Sequence, residues 1–103
     1  MVRVKLGRID EVIDGEVVRK DISGVGAIAL YNLAGRFYAT DDLCSHGEAS
    51  LSEGSIENGQ IVCPFHGGSF DIASGEPIAA PCYLAIRSYA VHREGEDLYV
   101  ELP

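Results

Sequence analysis

Apolar and polar residues alternate in a series of short runs: Val2–Leu6, Glu16–Ile22, Ala27–Leu33, Arg36–Thr40, Gln60–Cys63, Leu84–His92 and Asp97–Leu102. Val, Ile, Tyr and Phe are frequent in them and turn residues separate them, the pattern of half-buried strands. Asn32-Leu33-Ala34-Gly35, Asn58-Gly59 and Glu94-Gly95-Glu96 predict tight turns, Asn58-Gly59 most strongly because both residues tolerate positive φ. No stretch carries a sustained 3.6-residue apolar stripe, and the best helical candidate is one weak turn near Ile9–Ile13. The expectation is a single all-β domain over residues 1–103, a sandwich or small barrel.

The middle third breaks the pattern. Asp41–Ser55 is polar and small, and Cys63–Ala80 is interrupted by Pro64, Gly67, Gly68, Gly75 and Pro77, so both segments read as loops. Loops longer than about 12–15 residues in a compact domain are usually functional or disordered. Each begins with the same two residue types, Cys44-Ser45-His46 in the first and Cys63-Pro64-Phe65-His66 in the second, which favours function.

Composition narrows the partners. The 103 residues carry a formal charge of −8, which argues against nucleic acid and anionic membranes. No run approaches the ~20 apolar residues of a membrane span, and the N-terminus lacks the apolar core of a secretory signal, so a cytoplasmic location is expected. Three cysteines without such a signal make a disulfide framework a poor reading and metal or redox chemistry a better one.

Two thiolates and two imidazoles suit either a structural tetrahedral zinc or a two-iron cluster. The residues from Gly47 to Val62 suffice to go out, turn at Asn58-Gly59 and return, bringing both clips to one end. Structural zinc commonly takes a Cys-x-x-Cys pair from a knuckle and a His pair from a helix. Here each loop supplies one Cys and one His and no helix follows, so two irons can be served by sorting, cysteines to one and histidines to the other.

Cys44-Ser45-His46-Gly47 and Cys63-Pro64-Phe65-His66-Gly67 together resemble the paired C-x-H and C-x-x-H boxes of the Rieske [2Fe–2S] family, in particular the ferredoxins of bacterial aromatic-ring dioxygenase systems of the biphenyl, naphthalene and cumene types. The resemblance implies a Rieske fold, an antiparallel β-sandwich base with a small cluster-binding subdomain made of two loops at about residues 41–80. It implies one [2Fe–2S] cluster, with Cys44 and Cys63 on the inner iron, His46 and His66 on the outer one, and Pro81 in a loop covering it. It further implies an electron carrier, not an enzyme, taking electrons from a flavin-dependent ferredoxin reductase and passing them to a terminal oxygenase, as a monomer forming transient complexes. The alternative is a Rieske-like accessory subunit of a reductase such as nitrite reductase.

Two departures from the quinol-oxidising members of the family carry information. Ala49 or its neighbours and Phe65 stand where those proteins have a second cysteine pair, and Gly68 and Phe70 where they have hydroxyls near the cluster. Fewer donors to cluster sulfur disfavour the reduced state, so a potential at the low end of the Rieske range, about −150 mV, is expected. Outside the boxes, Cys82 reads as a packed thiol and His92 as surface decoration. Asp41, Asp42, Glu48, Glu53, Glu57 and Glu76 form either a docking rim, chiefly Glu48 and Glu76, or ordinary solvated loops. Phe65 is either core packing or a partner contact.

Overall fold

The computed structural model describes residues 2–45, 49–65, 67–80, 82 and 84–102. Among these residues the strands form three antiparallel sheets. One orders β1 (Val2–Arg8), β11 (Asp97–Leu102) and β10 (Val91–Glu94); the second orders β2 (Val17–Ile22), β3 (Gly26–Leu33), β4 (Arg36–Asp41) and β9 (Ser88–Tyr89). The third is smaller, with β5 (Ser55–Glu57), β6 (Gln60–Val62), β7 (Ser69–Asp71) and β8 (Pro77–Ala79).

Strand β3 organises the interior. Ile28 and Leu30 point into one core with Leu6, Val12, Ala39, Tyr89, Leu98 and Val100. Ala29 and Tyr31, on the opposite face by the two-residue period of a strand, enter a second core with Leu51, Ile61, Phe70, Ile72 and the three cysteines. A strand covered on both faces needs a continuous apolar run, which Ala27–Tyr31 supplies. The first core closes the sandwich base; the second seats the small sheet and the cysteine loops on it.

The turns fall where the sequence places them. Ala34-Gly35 and Asn58-Gly59 have positive φ at both residues (55° and 86°, 52° and 74°), as a two-residue hairpin with right-handed strand twist requires. The helical turn is a single 3-10 turn, Ile9–Glu11, held by Glu11 Oε1, which accepts from Arg8 N at 2.9 Å and Lys20 Nζ at 2.7 Å.

Two expectations are corrected. Cys63–Ala80 is not wholly loop, for it contains β7 and β8, which pair with β6 and with each other. Three residues are too few to display alternation, and these strands exist because partners are available. Pro77 is accommodated because β8 is an edge strand. Leu84–His92 is not one strand. Ser88–Tyr89 pairs with β4, Val91–Glu94 pairs with β11, and the chain changes sheet at Ala90. Both halves have apolar neighbours, so the crossing leaves no mark on the pattern. No described helix is long and apolar enough to cross a membrane.

Candidate metal centre

The two cysteine clips are built alike. After β4 the chain pairs with its own return: Asp42 O accepts from Leu51 N at 2.7 Å, Leu43 bridges Ser50, and Cys44 N donates to Ala49 O at 3.0 Å. After β6, Cys63 N donates to Gly68 O at 2.7 Å, and Gly67 N donates to Cys63 O at 3.1 Å. In each clip the cysteine N–H thus bonds the carbonyl five residues on, so each cysteine stands at the neck of a tight tip. The histidine positions, two residues on in the first and three in the second, fall within those tips along the chain. His46 and His66 lie outside the described residues, as do Pro81 and Glu48.

The neck of the first clip is anchored by charge and hydroxyls. Asp42 is buried; its Oδ1 accepts from Ser52 N at 2.8 Å and its N–H donates to Ala27 O at 3.1 Å. Asp41 accepts from Tyr89 OH at 2.6 Å and from Arg87 N at 3.2 Å. These two carboxylates therefore hold the clip in place and do not belong to a docking rim, whereas Glu53, Glu57 and Glu76 are exposed. Ser45 Oγ donates to Leu84 O at 2.6 Å, tying the first tip to the segment after Cys82. Burial, reinforced by the bond to Asp41, raises the Tyr89 hydroxyl to about 12.

Cys44, Cys63 and Cys82 are all buried in the second core, and none forms a disulfide. Cys82 N donates to Ala79 O at 3.1 Å. Burial pushes its thiol up to about 12, with the neighbouring Cys44 and Cys63 sulfurs adding to the effect. Its sulfur sits 2.5 Å from where a Cβ on Gly68 would stand. Phe70, the other position lacking a hydroxyl, is fully buried beside them. Around the tips the apolar surface is exposed: Phe65 at 71%, Leu43 at 62% and Leu84 at 59%. Phe65 is thus not core packing. His92 is more than decoration, since its Nε2 lies 2.7 Å from Glu101 Oε2 across the base sheet.

What the described residues offer a metal is two buried thiols, delivered by two similar necks to one apolar core. Among the described residues no three His, Cys, Asp or Glu side chains form a set that could hold a metal ion. Two such thiols, with a histidine position beyond each in the sequence, suit an iron–sulfur centre of mixed ligation. Cys82 is a packed thiol, as its sequence context suggests, but the Gly68 gap that admits its sulfur exists only in three dimensions.

Comparisons with known proteins agree with this geometry. Residues 2–90 match the model of the Rieske [2Fe–2S] domain family. The ferredoxin component of the p-cumate 2,3-dioxygenase system of Pseudomonas putida is 44% identical over 96% of this chain and 85% of its own length. Among solved structures, the ferredoxin of Sphingomonas yanoikuyae B1 superposes with a TM-score of 0.93 at 40% identity, covering 99% of this chain and 100% of its own. The ferredoxin in the complex of reduced oxygenase and oxidised ferredoxin of carbazole 1,9a-dioxygenase gives 0.90 at 35% identity over 96% and 92%. A nitrite reductase small subunit, at 20% identity, shares the fold alone. By its sequence match and its fold the chain belongs to the Rieske [2Fe–2S] domain family, and its cofactor is one Rieske-type [2Fe–2S] cluster.

Proposed function

We propose that this chain is the electron carrier of an aromatic-ring dioxygenase system, accepting single electrons from a flavin-dependent ferredoxin reductase and delivering them to the terminal oxygenase. Cys44 and Cys63 bind one iron, and His46 and His66 the other. The observation that carries this reading is the common construction of the two necks, which brings two buried thiols from separate loops to one core and sets a histidine position beyond each. The kinship supports it: the p-cumate relative is named a ferredoxin component, and the carbazole relative was solved with its oxygenase. The accessory-subunit alternative has no comparable support, since its likeness extends to the fold only.

A bound Rieske cluster supplies a one-electron couple between about −150 and +300 mV. The protein's own part is to hold, shield and present. Burial of Cys44 and Cys63 keeps water from the thiolate side, while exposed Phe65, Leu43 and Leu84, each next to a tip or tied to one, offer apolar contacts. Such a contact suits a transient complex between a monomeric carrier and each partner in turn. Residues 1–103 act as one Rieske domain working in the cytoplasm, with the cluster-binding part at about 41–80 extended by the Cys82 segment.

Stopped-flow mixing tests the assignment. The oxidised protein should be bleached by a flavin ferredoxin reductase with NADH, and the reduced protein should be reoxidised by a Rieske-type terminal oxygenase within one catalytic turnover. Failure of both transfers with a cluster-loaded protein would contradict it.

A further inference from the structure

Two glycines press on the Cys63 neck. Gly54 follows the first clip's return and lies against the carbonyl of Val62, the residue before Cys63. Gly68 closes the neck, its carbonyl accepting from Cys63 N at 2.7 Å. Neither has to be glycine for the sake of its backbone. Gly54 is extended, with φ −88° and ψ −163°, and Gly68 is not among the residues of positive φ. Space is what both positions lack. A Cβ on Gly54 would overlap Val62 O and stand 3.2 Å from Leu51 O; one on Gly68 would meet Cys82 Sγ at 2.5 Å and both Ala79 O and Cys82 N at 2.9 Å. Most of these are backbone atoms, which cannot swing aside as a side chain can.

Gly54 also joins the two necks. Its N–H donates to Leu51 O at 2.9 Å, and Leu51 N donates to Asp42 O at 2.7 Å in the first neck. The next residue, Ser55, pairs with Val62 in the β5–β6 register. A path of backbone contacts thus runs from the first neck through Gly54 to the residue before Cys63.

We propose that Gly54 and Gly68 are positioning residues which, by having no side chain, hold the Cys63 thiol at the spacing from Cys44 that the cluster requires. This rests on Cys63 being a cluster ligand. Contacts between carbon and oxygen run at about 3.3–3.6 Å, so a methyl group at 54 would drive β5 from β6 by roughly 1 Å. Binding constellations have to be held within about 0.5 Å of their working geometry. The displacement would arise one residue from Cys63, and a methyl group at 68 would push on the carbonyl that closes the same neck.

Gly54→Ala and Gly68→Ala, each purified beside the parent and Gly95→Ala, decide the matter. Gly95 turns the β10–β11 hairpin at φ 64° with nothing within 4 Å of its would-be Cβ, so a methyl group there strains the base and crowds nothing. Iron and sulfide content, melting temperature, the EPR spectrum of the reduced, loaded fraction and iron release to a chelator are read on all four. Gly54→Ala and Gly68→Ala should release iron about 10–100-fold faster than the parent, with displaced g values in what stays loaded. Gly95→Ala should melt lower yet keep the parent's g values and release rate. Parent g values and release in either folded site variant would overturn the proposal. So would release from Gly95→Ala that quickens in step with its lost stability, since iron loss would then follow stability alone. If one site variant does not fold, the other decides by the same readings; if neither folds, the two glycines serve the fold and the proposal fails. A Cys63→Ala variant retaining full iron and sulfide would instead overturn the ligand reading beneath it, a failure seen before any glycine is changed.

Discussion

The two cores on either side of β3 are made differently. The base core is mostly aliphatic, with Tyr89 at its edge, and is closed by strands that pair along most of their length, as in β1 with β11 and β2 with β3. The cysteine core is closed by three-residue strands and tight necks, and polar bonds run through it and along its edges: Tyr31 OH with Thr40 Oγ1 at 2.8 Å, Asp42 with Ser52 N, and Ser69 Oγ to Gln60 at 2.8 Å. Burial of apolar area suffices to fold the first. The second must also fix sulfur atoms in place, and directional bonds do this where dispersion would not.

The contrast is sharpest when one residue is removed from each core. Cys63→Ala should abolish iron binding, read as loss of visible absorption and of iron by elemental analysis. Leu30→Ala, on the base side, should cost about 2–5 kcal/mol in denaturant unfolding while the iron content of the folded fraction stays at the parent value. Iron loss in Leu30→Ala matching that of Cys63→Ala would erase the distinction between base and site.

A smaller effect separates the polar frame of the site from its ligands. Asp42→Ala leaves the Ser52 N–H without its carboxylate partner and should cost about 1–3 kcal/mol. Because Asp42 also sets the first neck, cluster release on dilution into chelator should quicken in parallel. Lower stability with unaltered release would confine Asp42 to the base.

The sequence pattern reveals most of the base and only part of the site. Long strands advertise themselves through alternation, and Asn58-Gly59 through its tolerance of positive φ. The ligand spacing announces Cys44 and Cys63 because the chemistry requires those residue types close together. β7 and β8 are hidden because three-residue strands depend on a partner rather than on their own sequence. The sheet change at Ala90 is hidden because both sheets want apolar residues from the same run. Asp42 and Cys82 are hidden for a related reason: what each does is set by a residue ten or more positions away, Ser52 in one case and Gly68 in the other.

The smallest expected effect lies in the base. His92 holds the Glu101 carboxyl below its usual range across the β10–β11 pair. A carboxyl depressed in the folded state contributes stability above its unfolded value, and that contribution fades as pH falls through the lowered folded one. His92→Gln should therefore flatten the acid side of the melting-temperature profile slightly, and leave the potential untouched. A shift of the potential would join this pair to the site.

The two necks are expected to hold a Rieske centre, and one of low potential. An EPR-monitored redox titration of the purified protein reads both at once. The expected result is a rhombic signal in the reduced protein with average g below the free-electron value, and a midpoint near about −150 mV. No such signal in an iron-loaded sample, or a midpoint above about +100 mV, would contradict it.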